Sequence, residues 1–250
     1  MTEPQPSSAL IGLRLLADET RWKLITALRE SDRQVAELVA ATGLAQNLIS
    51  YHLHTLRQAG LVNPHRSDAD GRVIYYSLNL TALAALLAQI GRELALPEAT
   101  LPPLPPVTVA FLCRANSARS QMAEGWLRAL SGGQVRALSA GTQPQPIHPL
   151  AISVMAEAGA PIDGQVAKSI ETILDQKPHV IVTVCDIARE ECPVWPDAAR
   201  HIHWSIADPA AVTGDDDQRY AAFVAARDEL RARVCGLLAL LPRWFGEVNG

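Results

Sequence analysis

The sequence predicts two domains of different class: an α+β domain over residues 1–96 and an α/β domain with a parallel four-stranded sheet over 107–250. Three observations predict this. Residues 97–106 read PEATLPPLPP, five prolines in ten, which cannot continue a helix and favour an extended, semi-rigid linker. Before it, apolar residues recur at helical spacing and end in two β-rich runs around an Asp-Gly turn. After it, continuous apolar strands alternate with helical stretches, the pattern of a sheet buried on both faces.

Composition sets the outer bounds. The 250 residues are 48% hydrophobic and 19% charged, as expected of a globular chain with ample core. A net charge of −4 gives no general affinity for nucleic acid, so any DNA contact needs a local patch. The start, MTEPQPSSAL, lacks the basic and apolar regions of a signal peptide, and no apolar run is long enough to span a membrane. Four cysteines (Cys113, Cys185, Cys192, Cys235), all after the linker, suggest reduced thiols in the cytoplasm.

In the first half, Leu13, Leu16, Trp22, Ile25 and Leu28 carry helical spacing, with Asp18-Glu19-Thr20 as a break and N-cap between two helices. Val35–Ala41 forms a further helix ended by Thr42-Gly43. Gln46–Ala59 forms the next, with Leu48, Ile49, Leu53 and Leu56 facing inward and Gly60 closing it. Leu61-Val62 and Val73–Leu78 predict two strands joined across Ser67–Gly71. Helix-turn-helix followed by a hairpin is a winged helix, and Leu80–Leu94 adds a closing apolar helix.

The stretches LADETRWKLITAL, LAQNLISYHLHTLRQAGLV and GRVIYYSL resemble the arsenic-resistance (ArsR-type) repressors across nearly all of 8–95. The resemblance implies an operator-binding domain whose 46–58 helix enters the major groove. Gln46, Asn47, Ser50, Tyr51 and His52 then lie near bases or phosphates, and Arg57 near the backbone. His65, Arg66 and Arg72 carry the wing to phosphates or the minor groove. It also implies a homodimer through the first and last helices, where Leu10, Leu13, Leu83, Leu86, Leu87 and Ile90 are candidates, though they could equally be ordinary core. Many such repressors bind arsenite through a Cys-x-Cys pair. The matching stretch here, Asp32–Leu38, has no thiol, and the last helix has no His, so no metal site of either kind is expected.

The second half opens on Val109-Ala-Phe-Leu-Cys113-Arg-Ala-Asn-Ser-Ala-Arg119-Ser120-Gln121, an apolar strand running through a loop into a helix. Five residues between Cys113 and Arg119 (Arg114, Ala115, Asn116, Ser117 and Ala118) let the backbone curl so that its N–H groups make a nest for a tetrahedral oxyanion. The positive end of the helix faces the same point. Arg119 can grip two anion oxygens, and a Ser120 hydroxyl on the sulfur favours thiolate over thiol. Cys113 is thus a nucleophile aimed at a bound phosphate-like anion. Cys185 and Cys192 stand seven residues apart, about 10.5 Å along an intact helix, and a disulfide needs roughly 4.4–6.8 Å. If these two bond, the segment between them must unwind.

CRANSARSQMAEGW resembles the low-molecular-weight tyrosine phosphatase superfamily, specifically its thioredoxin-coupled arsenate reductases, over about 107–242. Ser139-Ala-Gly-Thr142, Val182–Cys185 to Cys192–Pro196, and His203-Trp-Ser-Ile-Ala-Asp208-Pro-Ala210 carry the rest of the resemblance. It implies arsenate bound in the 113–119 loop, attack by Cys113, and Asp208 as general acid. It then implies a Cys113/Cys185/Cys192 relay emptied by thioredoxin, with no bound cofactor. Asn116 would hold the loop's shape. Ala118 stands where many relatives have a further Cys, and Arg114-Ala115 replaces a more usual Gly-containing pair. Cys235, in an apolar run, reads as core. Two alternatives remain: a phosphatase needing only Cys113, Arg119 and Asp208, and a regulator whose second half senses oxyanion or redox state.

Overall fold

The computed structural model describes residues 8–97, 102–191, 195, 198 and 200–246. The chain divides into two units: 1–66 with 73–101, and 67–72 with 102–250. In the first unit α1 (Ser8–Leu16), α2 (Glu19–Leu28), α3 (Val35–Thr42) and α4 (Gln46–Gln58) precede β1 (Val62–Arg66), β2 (Ile74–Leu78) and α5 (Leu80–Glu93). Side chains and glycines set these boundaries. Asp18 caps α2 by accepting from the Arg21 N–H at 2.9 Å, a bond that holds its carboxyl below the ordinary value. Gly43 and Gly60, at φ +69° and +71°, end α3 and α4 in the left-handed region that glycine enters without strain.

Strands β1 and β2 pair antiparallel from Val62↔Leu78 to Arg66↔Ile74, and Arg33 bridges to Tyr76. This is the winged helix-turn-helix that the sequence predicts. Its core joins Leu24 and Leu28 of α2, Leu38 of α3, and Ile49, Leu53 and Leu56 of α4 to Leu61, Val62 and Leu78. Three of the helically spaced apolar residues lie outside the core: Leu13, Trp22 and Leu48 are exposed. The buried stripe of α4 runs Ile49–Leu53–Leu56, and Leu48 falls about 100° away from Ile49 around the helix.

The second unit contains β3 (Thr108–Cys113), α6 (Arg119–Leu130), β4 (Arg136–Gly141), α7 (Pro149–Glu157), β5 (Val180–Thr183), α8 (Asp186–Glu191), β6 (Arg200–His203) and α9 (Asp216–Phe245). The sheet is four-stranded and parallel in the order β4-β3-β5-β6, as expected. Every residue of β3 is buried. Its side chains alternate between two cores. Val109, Phe111 and Cys113 pack with Met122, Leu127, Leu230 and Leu237, while Ala110 and Leu112 pack with Ile170, Ile173 and Ile181.

Strand β4 lies on one side of β3 and β5 on the other. The order therefore reverses at β3, and a crevice opens beyond its C-terminal end, where Cys113 lies. Cys235, expected in the core, is exposed. The inward stripe of α9 here uses Leu230, Val234, Leu237 and Leu241.

Candidate active site

The loop after β3 is held from outside by backbone bonds. The carbonyls of Cys113, Arg114, Ala115 and Ser117 accept from the N–H groups of Thr142, Gln143, Gln145 and His148, at 3.3, 2.8, 2.9 and 2.9 Å. Because a trans peptide points its N–H opposite its carbonyl, the N–H side of these peptides faces the loop's interior. The Asn116 N–H reaches the Cys113 Sγ at 3.1 Å, and Ser120 Oγ lies 2.9 Å from the same sulfur. The nest read from the spacing is present.

Arg119 opens α6 and is buried. Its Nη1 donates to the Ile206 carbonyl at 2.8 Å, and its Nη2 donates to Asp208 Oδ2 at 2.9 Å. The other Asp208 oxygen accepts from the Ala210 N–H at 3.0 Å, capping a single turn at Pro209–Ala211. Asp208 is thus both a turn cap and one of two carboxylates on the loop's arginine, the other being Asp68, whose Oδ2 accepts from Nη1 at 3.0 Å. Arg114 is exposed and bonds Gln143 Oε1 at 3.0 Å, so only its backbone serves the loop. Ala118 is buried and supplies no polar side chain.

Cys185 follows β5, the neighbour of β3, and pairs in register through Leu112↔Thr183, so the two thiols share the C-terminal edge of the sheet. Burial pushes the Cys185 thiol up to about 11, against the opposing pull of Arg119. It is a thiol at neutral pH. Helix α8 starts at the next residue. Cys192, the third expected thiol, lies outside the described residues.

The sequence reading gave Asn116 the loop's shape to hold but did not name what holds Asn116. Asn116 is fully buried at φ +46°. Its Oδ1 accepts from the Lys168 N–H at 2.7 Å and from Gln121 Nε2 at 2.9 Å. Its Nδ2 donates to Ser120 and Ser139 at 2.8 and 2.9 Å. Glu124 in turn accepts from Ser139. Gln121 and Glu124 lie inside the stretch that carries the resemblance but were given no role there, and Lys168 lies in no motif. The one available signal was Glu124 on the first two turns of a helix whose neighbours are buried.

In the first unit, α4 presents Gln46, Asn47, Ser50, Tyr51 and Arg57 to the outside. His52 does not join them. It is buried, with Nδ1 3.7 Å from the Asp18 carboxylate, so the expected groove contact is corrected to a core contact. His54, one turn from Ser50 and Tyr51, lies on the outer face of α4. Arg66 is exposed, His65 half-buried, and Arg72 is exposed with both Nε and Nη2 on Asp70.

Residues 108–244 match the low molecular weight phosphotyrosine protein phosphatase family, which is more than half of the chain. The chain belongs to that family. Residues 18–64 match the bacterial regulatory proteins of the arsR family. The arsenate reductase of Halalkalibacterium halodurans is 38% identical over 126 residues, 50% of this chain and 91% of the relative. That of Bacillus subtilis is 35% identical over 126 residues, with the same shares. A solved arsenate reductase in the phosphate-binding state gives a TM-score of 0.48 at 32% identity, covering 54% of this chain and 98% of its own. An arsR-family helix-turn-helix is thus fused to a low molecular weight phosphatase domain whose relatives are arsenate reductases.

Outcomes follow for the loop and for α4. A Cβ at Gly141 would lie 2.6 Å from the Arg114 carbonyl and 2.8 Å from the Asn116 nitrogen, both backbone atoms of the loop. Gly141→Ala is expected to displace the loop and weaken phosphate or arsenate binding at least about tenfold by calorimetry, the scale of one lost hydrogen bond to a charged ligand. Arg57→Ala should reduce the salt slope of DNA binding by about one, and His54→Ala should weaken binding where His52→Gln mainly lowers the melting temperature.

Proposed function

We propose that this protein joins an operator-binding, homodimeric ArsR-type regulator to a thioredoxin-dependent arsenate reductase working in the cytoplasm. The observation that carries the reductase reading is the second buried thiol, Cys185, on the strand beside the one that ends in Cys113. A phosphatase needs no such group. The reading is supported by a backbone loop over the Cys113 sulfur with Arg119 at its end and by relatives that are arsenate reductases.

The chemistry then follows from the two thiols' surroundings. Arsenate enters the loop and competes with Asp208 for the Arg119 guanidinium. Cys113, taking the Asn116 N–H on its sulfur, attacks arsenic as thiolate; a hydroxide leaves and takes a proton from Asp208. Cys185, a thiol in the free protein, gives up its proton and attacks the Cys113 sulfur. The sulfur–arsenic bond breaks with its electron pair kept by arsenic, so arsenic(V) leaves as arsenite and a Cys113–Cys185 disulfide forms.

Cys192 attacks Cys185, Cys113 departs as thiolate, and the resulting Cys185–Cys192 disulfide passes to thioredoxin. Helix α8 must unwind for that step, because an intact helix holds the two residues too far apart to bond. At six residues it is far below the length at which a helix is stable alone, so unwinding is cheap.

Dimerisation is supported by the apolar side chains that α1 and α5 leave exposed, Leu10, Ile11 and Leu13 on one and Leu87 on the other. These helices pack together: a Cβ on Gly12 would meet Leu86. Ile90 is buried, and Leu83 and Leu86 pack on the core, so they serve the fold instead.

The reductase reading is tested by arsenate-dependent NADPH oxidation with thioredoxin and thioredoxin reductase, beside p-nitrophenyl phosphate hydrolysis. Cys113→Ser and Cys192→Ser should each abolish arsenate turnover. Phosphate ester hydrolysis that ignores Cys192, with no arsenate turnover in the wild type, would replace the reductase by a phosphatase. For the dimer, Leu13→Glu with Leu87→Glu should sediment as a monomer; a dimer that persists moves the interface off α1 and α5.

A further inference from the structure

Residues 67–72 join β1 to β2 in sequence and fold with the second unit. Their own turn shapes them: Ser67 is buried, and its Oγ accepts from the N–H groups of Ala69 and Asp70 at 3.1 and 3.3 Å. The Asp68 N–H donates to Asp186 Oδ2 at 2.8 Å, and Asp186 Oδ1 lies 2.9 Å from His203 Nε2. The Asp68 side chain then reaches the anion loop, where its Oδ2 accepts from Arg119 Nη1 at 3.0 Å. The segment thus touches both the loop's arginine and the first residue of α8, directly after Cys185.

Charge decides what this contact does. Arg119 already has the Asp208 carboxylate on Nη2 and the Ile206 carbonyl on Nη1. One carboxylate balances a guanidinium; a second adds negative charge where the loop is to receive an oxyanion, and like charges so placed oppose binding. The Asp68 side chain is 28% exposed and that of Arg119 7%, so the carboxylate can turn to water while the arginine stays. We propose that Asp68 and a tetrahedral oxyanion are alternative partners of Arg119, so that an anion entering the 113–119 loop releases residues 67–72. Because this segment connects the two strands of the wing, the oxyanion becomes the ligand to which the winged unit responds. The absence of the Cys-x-Cys pair from Asp32–Leu38 leaves that role open. The coupling is reciprocal: whatever draws 67–72 off Arg119 strengthens anion binding by the same factor.

This rests on reading the 113–119 loop as an oxyanion site and is independent of the redox steps proposed for it.

The test uses the full-length protein and inorganic phosphate, which thiols do not reduce. Asp68→Asn keeps the backbone bond to Asp186 and removes the charge. By calorimetry it should bind phosphate about tenfold tighter than the wild type, the scale of one hydrogen bond to a charged group. Asp70→Asn, which removes the same charge from a carboxylate bonded to Arg72, should bind as the wild type does. Hydrogen exchange followed by mass spectrometry should show 67–72 exchanging severalfold faster when phosphate saturates the wild type. At fixed ionic strength, phosphate should also change the wild type's affinity for a random-sequence duplex severalfold and leave that of Asp68→Asn unchanged. Equal or weaker phosphate binding by Asp68→Asn would make Asp68 a structural support of Arg119 and overturn the proposal. Exchange over 67–72 or duplex affinity that ignores phosphate would overturn it equally. Phosphate-driven release in a protein that reduces no arsenate would sink the reductase reading and leave this one standing, and arsenate turnover without release would do the reverse.

Discussion

A non-glycine residue in the left-handed region costs of order 1–3 kcal/mol unless its surroundings hold it there. Asn116 sits at φ +46° because its amide, carbonyl and N–H are all bonded, to Lys168, Gln121, Ser120, Ser139 and the Cys113 sulfur. The bend it imposes brings the chain back over Cys113 within three residues and delivers Arg119 to the mouth of the loop. Remove those bonds and the nest loses its shape, so much of the second unit can be read as support for one strained residue. Gly141 is part of that support by omission, leaving room for the Arg114 carbonyl and the Asn116 N–H.

The sheet supplies the rest. Because β4 and β5 flank β3, the loops that follow all three strands meet at one edge, and they bring different chemistry to it. β3 brings Cys113, β4 the glycine that clears the loop, and β5 the second thiol. The segment after β6 brings Asp208. The two buried thiols sit in different surroundings. Cys113 takes the Asn116 N–H on its sulfur, while Cys185 is pushed up to about 11 and stays protonated in the free protein.

Short-range signals explain how much of this was legible in the sequence. The Cys113-to-Arg119 spacing, the Asp18 cap, the glycines after α3 and α4, and the alternation of strand and helix are all decided within a few residues. They were read correctly, as were the winged helix and the parallel four-stranded sheet. The misreadings concern which way a helical side chain faces. His52 lies within a polar run but turns toward Asp18, and Leu48 lies within an apolar run but turns out. Cys235 sits among leucines yet faces away from the core. A helix carries its own periodicity, but its rotation is set by the neighbours it packs on.

The sequence by itself determined that there are two domains, that one ends a buried strand in an anion loop with a cysteine, and that further thiols follow. Local sterics and hydrogen bonding force those features on any fold these residues adopt. Only the tertiary structure decided that Asn116 is held by Lys168, 52 residues away, that Glu124 accepts a hydrogen bond from Ser139, and that Cys185 stands beside Cys113. Contacts at such separations depend on which strands become neighbours, and the energy that selects them is spread over the whole buried sheet rather than written in one segment.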